Sequence, residues 1–131
     1  MSDNVYRQTI PVLTASDGAW ATAPVAGTDY PAFYDSLGCK GMVLHWSING
    51  GTTFSLTITV KHYNELTEEA TSTILATAAQ TSNVNGELTI YPGGPATSNV
   101  SCGLSLGRFW VVEVTGTTDT CTLDIVADLI P

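Results

Sequence analysis

Few residues in this chain could carry acid–base chemistry. The imidazoles are His45 and His62, and Glu65, Glu68 and Glu69 form a local cluster of carboxylates. General acid–base catalysis needs ionisable groups brought together and tuned by their surroundings. The glutamates lie in a turn without aromatic walls, and a Ser-His-Asp site would need a histidine beside an activated serine. We expect no such pairing, so the sequence predicts a solvated turn, two structural histidines and no catalytic site.

Residues that could bind a metal ion or a nucleotide are also scattered. Asp124 and Asp128 share one face of the last predicted strand, but a calcium loop of the DxDxDG type is absent. No Gly-rich phosphate loop opens a helix. Cys39, Cys102 and Cys121 form an odd set without a CxxC pair, which fits neither a disulfide framework nor a zinc site. We therefore predict no metal, no cofactor and thiols without a ligand role.

Aromatic side chains are the remaining candidates, because an aromatic face packs against a sugar or against another protein. Trp46 and Trp110 fall on strand faces that we assign to the core, whereas Trp20 lies in a segment interrupted by glycine and proline. The predicted interaction residues are the aromatics of that N-terminal segment and a loop of two prolines and two glycines, namely Trp20, Tyr30, Tyr34, Pro92, Gly93, Gly94 and Pro95.

Composition restricts the partners. The 131 residues include four Lys and Arg against twelve Asp and Glu, a formal net charge of −8, and a phosphate backbone would repel such a surface. The first residues lack the basic start and apolar run of a signal peptide, and no apolar stretch approaches the ~18 residues of a membrane helix. We expect neither nucleic acid nor a membrane as partner, and synthesis in a cytoplasm.

Alternation of apolar and polar residues with a period of two dominates the chain and predicts strands. It is clearest in Phe54 to Tyr63, where one face is apolar and the other is rich in threonine and serine. Met42 to Asn49 repeats the pattern. Asn49-Gly50-Gly51 lies between the two segments and suits a tight connection, so we predict that they pair as an antiparallel hairpin.

The later segments follow the same pattern. Strands are predicted at Ser72 to Ala76, at Leu88 to Tyr91 after an Asn85-Gly86 turn, and at Phe109 to Thr115. The last strand is Cys121 to Leu129, and the intervening Gly116-Thr117-Thr118-Asp119 predicts a second hairpin.

Seven to eight such strands predict one all-β domain over residues 1–131, an antiparallel β-sandwich with either Ig-like or jelly-roll topology. The first forty residues differ, because Asp17-Gly18, Pro24, Gly27 and Pro31 interrupt short apolar pieces. Two interpretations of residues 1–40 stay open: edge strands and loops laid over the sandwich, or an N-terminal arm that grips a neighbouring subunit.

The order of these pieces resembles small β-sandwich virion proteins of tailed bacteriophages, of the capsid decoration or cement type. The resemblance covers about residues 32 to 131. The segments that carry it are Met42 to Gly51 leading into Phe54 to Tyr63, the central Asn85 to Gly93, and the closing Arg108 to Thr115.

The resemblance implies a non-enzymatic structural protein, made in the host cytoplasm, that binds the outside of the assembled head. Its implied partners are the major capsid protein and copies of itself, as a homo-oligomer such as a trimer. A weakly charged sheet rich in Thr and Ser suits such contacts, and many copies on a shell strengthen modest affinity. The alternative hypothesis is a carbohydrate- or receptor-binding module of a tail or fibre, suggested by the aromatic residues and the Pro92 to Pro95 loop.

Overall fold

The computed structural model of the chain describes residues 9–17, 33–118 and 121–131. This part of the chain contains strands and no helix, which confirms the all-β prediction, and so it has no helix that could cross a membrane. The nine strands are β1 (Thr9–Asp17), β2 (Tyr34–Asp35), β3 (Gly41–Asn49), β4 (Phe54–Asn64), β5 (Glu69–Ala76), β6 (Asn85–Ile90), β7 (Ser101–Cys102), β8 (Phe109–Thr118) and β9 (Thr122–Ile130).

The strands form two sheets packed face to face, with the orders β1-β9-β3-β6-β7 and β2-β8-β4-β5. Four antiparallel pairs have the arrangement expected if one long hairpin is folded over on itself. They are β1–β9, β2–β8, β3–β6 and β4–β5. This is the strand order of a jelly roll. The β-sandwich prediction is therefore confirmed, and the short β7, parallel to β6, brings the described strands to nine.

The core lies between the two sheets and is built from alternate residues of each strand. Leu44, Ile58 and Ile125 are fully buried, as are most of their inward-facing neighbours. Trp46 and Trp110 are 7% and 0% exposed, which confirms their assignment to the core. The outward residues of the same strands are mostly Thr, Ser and charged side chains, so burial of one face per strand holds the sheets together.

Neither predicted hairpin forms. β3 lies between β6 and β9, whereas β4 lies between β8 and β5 in the other sheet, so residues 50–53 cross from one sheet to the other. Likewise β8 and β9 belong to different sheets, and β8 continues through Thr118, so residues 116–118 are strand residues and not a turn. Both sheets turn their apolar faces to one core. Alternation of apolar and polar residues therefore identifies the buried face of a strand, but it does not identify which strand lies beside it.

The predicted Asn85-Gly86 turn is also wrong, because both residues belong to β6. Gly86 is opposite Trp46 in the β3–β6 register, and the indole ring occupies the space that a side chain at Gly86 would need. The glycine is therefore present for close packing within a strand and not for a turn conformation.

Part of the N-terminal region forms edge strands. β1 borders the five-stranded sheet through its pairing with β9, and β2 borders the other sheet through Tyr34 and Asp35. Trp20 and Tyr30, and with them most of the segment considered as an arm, lie outside the described residues.

Candidate functional site: an uncharged groove at the sheet edge

The loop predicted for contact is ordered by its own hydrogen bonds. After β6 the chain turns with the Gly94 amide donating to the Tyr91 carbonyl at 3.0 Å, and Gly93 adopts φ of 76°, which suits glycine. A second turn follows, in which the Val100 amide donates to the Thr97 carbonyl at 2.9 Å. The Ser101 hydroxyl donates to the Pro95 carbonyl at 2.9 Å and closes the loop on itself.

This loop is also attached to the other sheet. The side-chain amide of Asn99 donates to the Ala76 carbonyl, at the end of β5, at 3.0 Å. The loop then returns as β7, whose Ser101 and Cys102 pair parallel with Thr89 and Ile90. It therefore covers the β6 edge of the sheet, which would otherwise offer backbone groups for uncontrolled pairing.

An open groove of about 560 Å³ lies between this loop and the end of β9. We call it the edge groove, and its lining, as far as the described residues form it, consists of apolar groups with a few hydroxyls and no charged side chain: Thr89, Tyr91, Gly94, Pro95, Val100, Ser101, Cys102 and Ile130. Two of the predicted interaction residues, Gly94 and Pro95, are in the lining, and Pro92 and Gly93 belong to the same loop.

Two contacts position the aromatic residue of the edge groove. The Ile90 carbonyl and the Tyr91 ring both lie close to Gly41, where a Cβ would collide with the Ile90 carbonyl oxygen and come within 2.9 Å of Tyr91 Cδ1. The Tyr91 hydroxyl donates to the carbonyl of Pro131 at 3.3 Å. Gly41 is opposite Ile130 in the β3–β9 register, so the absence of a side chain there allows Tyr91 and Ile130 to line one groove.

The structure places Tyr34 in the core and not in a contact surface. Its ring stacks on Trp110 with centroids 4.8 Å apart, and its hydroxyl donates to the Val12 carbonyl at 3.3 Å. It is 9% exposed, and burial raises the pKa of its phenol above the ordinary value of 10.0. β2 pairing with β8 turns Tyr34 inward, and the sequence did not predict that pairing.

A second depression, of about 300 Å³, crosses the outer face of the five-stranded sheet beside His45 and Asp124. His45 Nδ1 lies 3.4 Å from Glu87 Oε2, but both side chains are more than half exposed, so the pair contributes little. Among the described residues, His, Cys, Asp and Glu side chains form no group of three that could hold a metal ion.

His62 contacts two serines, and the sequence did not predict either contact. Its Nδ1 is 3.2 Å from Ser72 Oγ, and its Nε2 is 3.1 Å from the carbonyl oxygen of Ser105. A carbonyl only accepts, so the neutral ring carries its proton on Nε2 and accepts from the Ser72 hydroxyl. Ser72 reaches the ring because β5 slips in register against β4 between Ala70 and Thr73.

The sequence around Ser105 contains a motif that bears on the prediction that no serine acts as a nucleophile. Residues 103–107 read Gly-Leu-Ser-Leu-Gly, the GxSxG pattern of a nucleophile elbow. In an elbow this pattern joins a strand to a helix, whereas here it joins β7 to β8. The Ser105 hydroxyl accepts from the Gly107 amide at 3.2 Å, and His62 meets the Ser105 carbonyl instead. We interpret the His62 contacts as a link between β5 and this loop.

An aromatic cluster on the outer face of the four-stranded sheet was likewise not predicted. Phe33 stacks on Tyr63 with centroids 4.6 Å apart and meets Phe109 edge-on at 4.7 Å. The Arg108 guanidinium lies 4.8 Å from the Phe109 ring centroid. The cluster joins β4 and β8 to the residue before β2, so only tertiary pairing brings it together.

Comparisons with protein-family models, with curated proteins and with solved structures find no match for this chain. Inference about function therefore depends on the chemistry of the described surfaces.

Proposed function

We propose that this chain is a non-enzymatic structural protein of a tailed-bacteriophage virion that binds the outside of the assembled head as a capsid decoration protein. The observation that supports this proposal best is the edge groove. Its described lining is mostly apolar and contains no charged side chain, in a chain of net charge −8, and its walls are fixed by a hydrogen-bonded loop. Apolar, pre-organised concave surfaces with charge excluded from their centre are typical of protein contacts.

The jelly-roll sandwich adds a second argument. One such domain can be repeated many times over a shell, and β7 pairs with the Thr89 and Ile90 end of the β6 edge, which leaves fewer backbone groups of that edge open to uncontrolled pairing. Repetition then turns modest individual contacts into stable retention.

The test is to mix the purified protein with heads from which it has been stripped. We expect saturable binding with a fixed number of copies per head after sedimentation. Absence of saturable binding, with the protein folded by circular dichroism, would contradict the decoration role.

Tyr91 gives a specific reason to test the alternative as well, a carbohydrate- or receptor-binding module. Its ring lines the edge groove, where it could stack on a sugar. Binding on a glycan array that Tyr91→Ala abolishes, together with no binding to heads, would favour that alternative over the decoration role.

A further inference from the structure

We infer that the edge groove is occupied by the β4–β5 hairpin tip of a second copy of this chain. The tip comprises residues 64–69, with Leu66 at its apex. The inference names a partner for the surface on which the proposed function rests, but it concerns the isolated protein and can be tested without heads.

The tip presents an apolar side chain in a fixed position. Leu66 is 90% exposed, so it packs against almost nothing in the described part of its own molecule. The Asn64 side chain accepts hydrogen bonds from the amides of Leu66 at 2.9 Å and Thr67 at 3.4 Å, which holds the turn. Pre-ordering lowers the entropy cost of inserting such a tip into a partner.

The groove offers a matching concave surface. Its volume of about 560 Å³ exceeds what one leucine side chain needs and suits an apex with its neighbours. Val100, 49% exposed, and Ile130 supply apolar lining, and removing them and Leu66 from water together is favourable.

Local charge, and not net charge, favours a second copy as the occupant. Two molecules of net charge −8 repel each other over most of their surfaces, but the described lining of the edge groove adds no carboxylate to that repulsion. The tip carries three exposed glutamates around Leu66, namely Glu65, Glu68 and Glu69. Beside the groove lies Lys40, which is exposed and whose amide donates to the Ile130 carbonyl at 3.0 Å. An inserted tip would therefore bring its carboxylates towards a lysine.

The other described cations are already engaged. Lys61 Nζ is 2.9 Å from Glu113 Oε1, and the Arg108 guanidinium lies over Phe109. Tip and groove are different surfaces of one molecule, so the contact is heterologous and assembles copies head to tail into a ring or a chain.

Crosslinking provides a direct test, because Cys102 lies in the groove lining whereas Cys39 and Cys121 are buried. Thr67→Cys, at the exposed tip position beside Leu66, keeps the leucine and, treated with a short bismaleimide, should give covalent multimers on a denaturing gel. Thr67→Cys with Cys102→Ser should give none, and neither should Val84→Cys, placed at an exposed site outside the groove. Equal crosslinking of the Val84→Cys variant, or none with Thr67→Cys, would overturn the inference.

Sedimentation of the full chain gives an independent measure. We expect concentration-dependent self-association that Leu66→Ala weakens roughly tenfold in Kd, whereas Val84→Ala leaves it unchanged. Lys40→Glu and Glu65→Lys should each weaken association, and the double variant should recover affinity, as expected for paired opposite charges.

The outcomes separate this inference from the proposed function. A chain that stays monomeric at all concentrations but binds stripped heads stoichiometrically would overturn the inference and leave the decoration role standing. If Val100→Asp abolished head binding while self-association persisted, a head protein and not a second copy would occupy the groove.

Discussion

At the scale of single residues, Gly86 shows how a position without a side chain can serve packing. The Trp46 indole fills the space that a Cβ would enter, so the pair is a close contact across two strands. The glycine makes room for a tryptophan that is 7% exposed on the central strand of the five-stranded sheet.

We predict that Gly86→Ala destabilises the fold by about 1–3 kcal/mol, because overpacking must displace the indole or the strand. Urea denaturation followed by tryptophan fluorescence measures this. The matched control is Glu87→Ala at the next, exposed position, where a change within about 0.5 kcal/mol is expected. Equal stability of the two variants would contradict the contact.

Tyr34 makes the stability of the fold sensitive to alkaline pH. Burial raises the pKa of its phenol above 10.0, so the folded state holds the proton more tightly than the unfolded state. The contribution of protonated Tyr34 to the free energy of unfolding is therefore complete below about pH 10. It is lost as the pH rises through the higher pKa that the phenol has in the folded state.

We expect the free energy of unfolding of the wild type to fall more steeply above about pH 10 than that of Tyr34→Phe. Below that pH the variant should lose about 0.5–1.5 kcal/mol, because its hydrogen bond to the Val12 carbonyl is gone. Urea titrations at a series of pH values test both statements. Parallel alkaline slopes for the two proteins would show that Tyr34 does not titrate this way.

At the scale of elements, the crossing from β3 to β4 depends on a side chain far away in sequence. Asn83 Oδ1 accepts from the Gly51 amide and Asn83 Nδ2 donates to the Gly51 carbonyl, each at 3.0 Å. These bonds hold residues 50–53 against the connection that precedes β6. They take the place of the tight hairpin that the glycines suggested.

We predict that Asn83→Ala costs about 1–2 kcal/mol, since two hydrogen bonds are lost together. Asn83→Asp keeps the acceptor for the Gly51 amide but places a carboxylate oxygen against the Gly51 carbonyl oxygen, so it should destabilise the fold as well. Ser82→Ala, at the exposed neighbouring position, is the control and should be neutral. Denaturant midpoints compare the three. An Asn83→Ala midpoint equal to that of the control would mean that these bonds do not hold the crossing.

At the scale of the whole molecule, both sheets contribute to one core. Buried side chains of β3, β6 and β9 face those of β4, β5 and β8, so neither sheet has an apolar interior of its own. Pairing is also remote in sequence, since β1 pairs with β9 at the other end of the chain.

We therefore expect a single cooperative unfolding transition, with tryptophan fluorescence and far-UV circular dichroism giving the same midpoint. Leu123→Ala, a fully buried position in β9, should lower both midpoints together and cost about 2–5 kcal/mol. Two separated transitions in either protein would show that the sheets unfold independently. Refolding should be slow for the size, because most strand pairs are non-local.

The sequence alone determined most of the long strands and their buried faces. Alternation is a local property, and it identified the inward positions of Trp46 and Trp110 and the loop at Pro92 to Pro95 correctly. It also showed that carboxylates and histidines are sparse, although it did not predict that His62 lies beside Ser72.

Only the tertiary structure decided which strands are neighbours. Alternation is the same for a strand in either sheet, so the choice depends on packing of the whole chain around one core. That choice placed Ile130 of β9 beside Tyr91 and Val100, and so created the edge groove from segments far apart in sequence. It also brought His62 to Ser72 and Ser105, because a register slip in β5 and the loop before β8 meet there.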